Sequence, residues 1–558
     1  MKKLKILMCS EASYLSSGFS VYAREILKRL HATGKYTIGE FASYAKMHDP
    51  RDENIPWVFY PNAPLNDKDQ SSKEYNASPE NQFGKWRFER VLLDFEPDIV
   101  FDIRDYWMNS YQQNSPLRPY YHWVVMPTVD SSPQQEEWVD TYISADAIFT
   151  YSDFGKDTLL KQSNSKVNYI ATTSPGVDLA TFKPIYNGKK QIREMLGLPQ
   201  DAFVVGSVMR NQKRKLIPDL LETLKILRTK NPELYNKTFL YLHTSYPDAG
   251  WDIPQILKDY EVANKVYFTY SCPRCKNIKS LLFSHVKTTC DKCGDKLLSF
   301  PNVNNGISTE NLCLVYNSFD IYVQYAICEG FGMPQVEASS CGIPIATVDY
   351  SAMSDIIQKL NAYPIRVAKS FKEMETKAIR VYPDNNHLAE TLEDFYKLPE
   401  FLKQQKREEI RSLTEEHYNW DNIAKLWENY FDQVQLTDKQ GKWDISMSEY
   451  EQVPENFANS DIDNYTFVFG TIKRFLPGHP VINTTLPLNM IRDLDYGFIQ
   501  SGMSIVPYSK KEVVKILNSI IHNHNLTQKA ISNKNKLVNP DFIQYAKLKQ
   551  QTRNQQSQ

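Results

Sequence analysis

From residue 5 to about residue 415, short runs rich in β-branched and aromatic residues alternate with segments of helical period. The runs are KILMCS, PDIVFDI, HWVVMPT, AIFTYS, FVVGSVM, TFLYLHT, KVYFTY, DIYVQYA and IPIATVD; FSVYAREILKRLH and IPDLLETLKILRTK are among the helical segments between them. A strand that is apolar almost without interruption cannot turn one face to water, so both faces of its sheet must be covered. Intervening helices supply the cover. The fold class this predicts is α/β, with doubly wound parallel sheets. The alternation lapses once, over SPGVDLATFKPIYNGKKQIREMLGLPQD, which is polar and punctuated by Gly and Pro, and a new strand begins at Phe203.

A chain of 558 residues is too long for a single core. The pattern divides it into two Rossmann-like domains, 1–185 and 186–415, then a helical stretch at 416–438, HYNWDNIAKLWENYFDQV at its heart. Beyond it lies a polar, irregular region at 440–558 that carries no readable motif. Within that last region only FVFGTIKRFL and KEVVKILNSIIHN read as regular elements, and the tail KLKQQTRNQQSQ reads as disordered.

Charge and hydropathy narrow the classes of function without excluding a local basic cleft. Lys and Arg number 65 against 66 Asp and Glu, so no global field draws the chain to nucleic acid or an anionic membrane. No apolar run approaches the ~20 residues that span a bilayer. The start, MKKLKILMCSEAS, has lysines before apolar residues but lacks the apolar core of a signal peptide, and reads better as a first buried strand. Of eight cysteines, four fall in two CxxC pairs; Cys9, Cys313, Cys328 and Cys341 stand isolated in apolar surroundings, as small buried hydrophobes do. That is unlike a secreted disulfide framework, and a cytoplasmic location is expected.

DIYVQYAICEGFGMPQVEASSCG reads as strand, turn and helix. Pro334 suits the first helical turn, where its missing N–H costs nothing, and Gly342 ends the helix. Glu329 then stands at the carboxyl end of a strand, where open α/β sheets bind ligands, and is expected to be an exposed carboxylate. Glu337 lies about a turn into the helix. Gly330 and Gly332 let backbone N–H groups approach a phosphate, while carboxylates accept hydrogen bonds from sugar hydroxyls. Acids attracted to a helix N-terminus are the plainer account. Against it, MRNQKRKLIPDLLE sets Arg210 just after another strand and Lys215 five positions on, two cations suited to a diphosphate leaving group. Gly18, in SSGFSVYAREILKRL, marks the first strand–helix junction, equally a simple turn or a point of phosphate approach.

Together these residues resemble the family-4 retaining glycosyltransferases, over about residues 1–435. EGFGMPQVE has the form of that family's E-x7-E signature, MRNQKRKLIPDLLE parallels its Arg-x4-Lys element, and ADAIFTYSDFGKDTLL, SPGVDLATFKP and HYNWDNIAKLWENYF resemble its first-domain, linker and closing-helix motifs. The resemblance implies a GT-B fold, two Rossmann domains facing a cleft, with the N-terminal one on the acceptor side. It implies a nucleotide-diphosphate sugar donor and transfer with retention of configuration. Glu329 would contact the donor sugar and Glu337 the ribose; Arg210 and Lys215 would hold the diphosphate; Gly330, Phe331 and Gly332 would support sugar and phosphate. No catalytic divalent metal is then expected. Where many relatives carry a histidine near the sugar, HWVVMPTVDSSP offers Thr128 and Asp130, with His122 at the strand's start read as structural. Asp130 is a candidate for contact with sugar or acceptor. Sugar, base and acceptor stay open, the last among glycan, lipid-linked sugar, protein and modified nucleic acid. A nucleotide-sugar epimerase of the same architecture and an inactive zinc-ribbon adaptor are the alternatives.

Cys272, Cys275, Cys290 and Cys293 form C-x2-C-x14-C-x2-C, two knuckles that can converge on one tetrahedral Zn²⁺. An all-thiolate set points to a closed structural site, so a zinc ribbon is expected as an insertion at 266–301 of the second domain, with His285 inside its loop not a ligand.

Overall fold

The computed structural model of the chain describes residues 3–65, 70–115, 117–283, 289–295, 298–302, 306–436 and 541–556. The chain forms two compact units. One comprises Met1–Leu15, Leu30–Val124 and Gln433–Gln558; the other comprises Ser16–Arg29 and Val125–Asp432.

Strands β1 (Lys5–Glu11), β2 (Thr37–Ser43), β3 (Val58–Pro61), β4 (Ile99–Asp102) and β5 (His122–Val125), all in the first unit but for Val125, run in the order β3-β2-β1-β4-β5. β1 pairs in parallel with β2 and β4, and β2 with β3. Ile6, Leu7, Met8 and Cys9 are fully buried in succession, which requires cover on both faces of the sheet.

In the second unit β6 (Ala147–Thr150) and β7 (Tyr169–Thr172) pair in parallel. A seven-stranded sheet of this unit comprises β8 (Phe203–Val208), β9 (Thr238–His243), β10 (Val266–Ser271), β11 (Ile278–Leu282), β12 (Ile321–Gln324), β13 (Ile345–Val348) and β14 (Tyr363–Ile365). Its order is β11-β10-β9-β8-β12-β13-β14. Every pairing is parallel except β10 with β11. Two Rossmann-like parallel sheets are thus present, and all nine apolar runs read from the sequence are strands. A separate hairpin, β15 (Val367–Lys372) with β16 (Ile379–Pro383), gives little hydrophobic signal because β15 is exposed nearly throughout.

The helices that matter below are α1 (Gly18–Ala32), α2 (Ile217–Lys230), α3 (Thr309–Asn317), α4 (Met333–Ser340), α5 (Ala352–Leu360), α6 (Glu400–His417), α7 (Trp420–Gln433) and α8 (Asp541–Gln556). The helical stretch around residue 418 is broken: α6 stops at His417, Tyr418 is buried, and Asn419 Oδ1 accepts from Asp421 N at 2.8 Å to start α7. α7 buries Trp420, Ile423, Ala424, Trp427 and Phe431, a single stripe at helical spacing. The polar linker also holds a helix, Lys189–Leu196, ended by Gly197 at φ +81°.

The tail forms a helix over its described residues, to Gln556, contrary to the expectation of disorder. Phe542, Ile543 and Ala546 of α8 are buried, Tyr545 donates to Asp52 Oδ2 at 2.7 Å, and the Lys549 ammonium bonds the same carboxylate. The apolar anchors stand just before the polar run, and neither Gly nor Pro interrupts the helix after Pro540. FVFGTIKRFL and KEVVKILNSIIHN lie outside the described residues.

Candidate active site and four-cysteine cluster

β12 delivers the chain to Ile327, Cys328 and Glu329, and α4 begins four residues beyond the glutamate. The turn between them needs its glycines. A Cβ on Gly330 would stand 2.3 Å from Thr128 Cγ2, and Gly332 adopts φ +87°, left-handed, just before Met333 and Pro334 start the helix. The neighbour nearest a Cβ built on Gly18 is Met333 Sδ at 3.9 Å, so the N-terminus of α1 lies beside that of α4. Two helix starts, with the positive ends of their dipoles, are thereby brought to one glycine turn. Phe331 is 7 % exposed and packs edge-on to Tyr418, ring centroids 5.6 Å apart; its side chain holds the turn down.

Glu329 is not the exposed carboxylate expected. It is 4 % exposed, because cations from the loop after β8 close over it. The buried Lys215 ammonium bonds Glu329 Oε1, Arg214 Nη1 donates to Oε2 at 3.1 Å, and Gln324 Nε2 donates to Oε1 at 2.7 Å. The backbone is pinned as well: Glu329 N donates to the Ser351 hydroxyl at 3.0 Å, which donates back to Glu329 O. Burial opposes ionisation of Glu329, but the Lys215 and Arg214 charges outweigh it and hold the carboxyl down at about 2.

Arg210 stands apart from this group. Its Nε and Nη2 donate to Asp248 at 2.9 and 3.0 Å, and those bonds hold the Asp248 carboxyl far below its ordinary range. The structure therefore brings Lys215 to Glu329 together with Arg214, one residue earlier, while Arg210 bonds Asp248. Glu337, one turn into α4, accepts from the Tyr316 hydroxyl of α3 at 2.7 Å; burial pushes its carboxyl up, against that bond.

Asp130 comes to the same turn. Its Cβ is 4.0 Å from a Cβ built on Gly330, and Cys328 Sγ donates to Asp130 Oδ2 at 3.2 Å. Cys328 is buried, as expected, yet in polar company: Arg380 of β16 approaches its sulfur at 2.7 Å and donates to Asp130 Oδ1 at 2.9 Å. Cys313 and Cys341 are not isolated either; their sulfurs lie 3.9 Å apart. His122 is buried at the start of β5. Arg214, Gln324, Ser351 and Arg380 escape the sequence reading, and only Arg214, inside the QKRK run, carries a local signal.

The four cysteines converge. The sulfurs of Cys272, Cys275, Cys290 and Cys293 lie within 4.8 Å of one another, the pairs Cys272–Cys293 and Cys275–Cys290 at 3.5 Å. Four thiolates at ~2.3 Å from one tetrahedral ion would stand about 3.8 Å apart, so the set fits a metal ion. Both knuckles have the same backbone form. Lys276 N donates to Cys272 O and Gly294 N to Cys290 O, with Lys276 at φ 57° and Gly294 at φ 71°. His285 lies outside the described residues. Among the described residues no helix is long and apolar enough to cross a membrane.

Residues 302–412, which hold β12, the glycine turn, α4 and the hairpin, match the family described as "Glycosyl transferases group 1". D-inositol 3-phosphate glycosyltransferase of Saccharomonospora viridis is 24 % identical over 201 residues, 36 % of this chain and 39 % of that protein. The enzyme of the same name from Stackebrandtia nassauensis is 26 % identical over 215 residues, 38 % of this chain and 41 % of its own. The chain thus spans about two fifths of the length of the curated relatives it matches. Among solved structures, sucrose-phosphate synthase from Thermosynechococcus elongatus superposes with TM-score 0.55 at 16 % identity, covering 77 % of this chain and 99 % of that one. Anabaena HepE in complex with UDP and glucose superposes with TM-score 0.53 at 13 % identity, covering 77 % and 100 %. The fold these likenesses show is GT-B.

Proposed function

We propose that this chain, which carries a glycosyltransferase group 1 domain at residues 302–412, moves a sugar from a nucleotide-diphosphate sugar to an acceptor hydroxyl with retention of configuration. The observation that carries the reading is the Lys215–Glu329 ion pair set at a glycine turn between two helix starts. On this reading 186–415 is the donor-binding domain and 1–185 the acceptor-side domain. HepE, solved with UDP and glucose, makes UDP-sugars the first donors to try.

The chemistry follows from the groups present. The bond between the sugar's anomeric carbon and the diphosphate oxygen breaks as the acceptor oxygen bonds that carbon from the same face. The acceptor's proton passes to the departing diphosphate. An ammonium has three donors, so Lys215 can stay on Glu329 and still meet a phosphate oxygen. Arg214 flanks it, Arg210 would have to leave Asp248 to join them, and the positive dipole ends of α1 and α4 favour the same negative charge. Glu329, its other lone pairs directed by Lys215 and Gln324, accepts from sugar hydroxyls, and Glu337 accepts from the ribose.

Zn²⁺ is the ion we assign to the four cysteines, because an all-thiolate tetrahedral set suits it and leaves no open position for catalysis. The bound ion would contribute folding energy to the insertion.

The test is a thermal-shift screen of zinc-loaded protein with UDP-, GDP- and ADP-sugars. The donor that stabilises it is then assayed with candidate acceptors, and the anomeric coupling of the product is read by NMR. An inverted product removes the retaining step; no stabilisation by any nucleotide sugar removes the reading altogether.

A further inference from the structure

The β15–β16 hairpin has little of its own to fold around. β15 is almost entirely exposed, and the connecting turn closes through polar bonds, Glu373 N to Ala378 O at 2.9 Å and the Thr376 hydroxyl to the Glu373 carboxylate at 2.5 Å. β16, in contrast, is fastened to both loops of the candidate site. Ile379 N donates to Ser132 O at 2.9 Å, just past Asp130, and Val381 N donates to Ile327 O at 3.1 Å, just before Cys328 and Glu329. Between these two anchors stands Arg380.

Its guanidinium is a fork between two carboxylates. Nη1 donates to Asp130 Oδ1 at 2.9 Å, while Nε and Nη2 donate to Glu373 Oε2 at 3.1 and 2.8 Å. The Arg380 side chain is 9 % exposed and that of Asp130 is 33 % exposed, so the cation is sealed in and the carboxylate it holds is open. A pair that served only to close the hairpin would need Glu373 alone. Nη1 instead leaves the hairpin for Asp130 and Cys328.

We propose that Arg380 is a positioning residue for sugar recognition, holding Asp130 so that its carboxylate meets a hydroxyl of the donor sugar above the Gly330 turn. The inference rests on the donor reading given above. A planar guanidinium can bond carboxylates on two sides at once, which a lysine ammonium at the same place cannot reproduce in geometry. Asp130 without it would lie beside Glu373 as a second uncompensated acid, free to rotate away from the sugar hydroxyl.

The ratio of two affinities tests this. Full-length, zinc-loaded wild type, Arg380→Gln, Asp130→Asn and the double variant are titrated calorimetrically with UDP-glucose, GDP-mannose and ADP-glucose, and with the corresponding nucleoside diphosphates. For the donor that binds, Arg380→Gln weakens the nucleotide sugar about tenfold, the scale of one charge-assisted hydrogen bond, and changes the nucleoside diphosphate less than about twofold. Asp130→Asn gives the same pattern, and the double variant is no worse than Asp130→Asn. Equal losses for both ligands, or additive losses in the double variant, make Arg380 a structural brace and overturn the proposal. If Arg380→Gln does not fold, Arg380→Lys carries the comparison: it must shift the same ratio, and an unchanged ratio overturns the proposal. Glu373→Gln, which loosens the hairpin alone, leaves the ratio unchanged; a matching shift there also overturns it. Wild-type protein that binds no nucleotide at all defeats the donor reading instead, which is a different result.

Discussion

Lys215 donates to Glu329 across 114 positions of sequence, and both partners are buried. Removing one partner of a buried ion pair strands the other's charge. Glu329→Ala is therefore expected to destabilise by about 3–5 kcal/mol and to abolish transfer, whereas Glu329→Ala combined with Lys215→Met is less destabilised than Glu329→Ala alone. Urea unfolding followed by tryptophan fluorescence measures this. A Glu329→Ala protein with wild-type stability would mean that water already reaches the pair.

The same pair sets an acid limb. The folded Glu329 carboxyl is held at about 2, below its ordinary range, so the folded state resists protonating it more than the unfolded chain does. Its stabilisation is complete above the unfolded carboxylate value of ~4.3 and is lost as pH falls from there towards 2. Glu329→Gln should flatten the fall of the thermal midpoint in that window and leave the curve above pH ~5 parallel to wild type. An acid limb of unchanged slope in the variant would assign it to other carboxylates.

How these residues meet was only partly legible. The nine strands could be read because runs such as VVGSV and IYVQ are buried on both faces, and little else produces them. Glu329, Gly330, Gly332 and Glu337 could be read because a left-handed turn and a close approach both demand glycine. Which cation turns inward could not: Arg210 and Arg214 share one loop, and Asp248, far along the chain, captures the first. Arg380 had no signal, since its role depends on where β16 is fastened. KLKQQTRNQQSQ, taken alone, lacks apolar anchors; Phe542, Ile543 and Ala546, which bury the helix, stand just before it.

Glu337 is expected to act on the donor's nucleotide half. The Tyr316 hydroxyl holds its carboxylate at 2.7 Å. Glu337→Gln should weaken nucleoside diphosphate and nucleotide sugar alike, by about tenfold, and Tyr316→Phe by less because the carboxylate itself remains. Calorimetry with both ligands separates this from the Arg380 pattern. Loss confined to the nucleotide sugar would move Glu337 to the sugar side.

Purified protein should carry about one zinc per chain. Elemental analysis of protein never exposed to chelator gives the number, and Cys272→Ser with Cys290→Ser should remove the metal and lower the midpoint of unfolding. A full complement of another metal would keep the site and change the ion; metal-free protein of normal stability would remove the site.

The transfer step should need no added divalent cation. In many transferases Mg²⁺ or Mn²⁺ held by carboxylates neutralises the diphosphate. Here two fixed cations stand at the turn, Lys215 and Arg214 on Glu329, and Arg210 stands apart on Asp248. Among the described residues the four cysteines are the sole cluster of three or more His, Cys, Asp or Glu side chains gathered as metal ligands would be. Lys215→Ala should cost about 10²–10³ in rate, the scale of one lost charge-stabilising donor. Arg210→Ala should cost less if Arg210 keeps to Asp248, and as much if diphosphate draws it away; the ratio of the two rates tells which cation the leaving group meets. A chelator strong enough to strip the cysteines would unfold their surroundings, so zinc content and folding must be followed while Mg²⁺ and Mn²⁺ are removed. Zinc-loaded, folded enzyme that stops without Mg²⁺ and recovers on its return would show that these side chains do not suffice for the diphosphate.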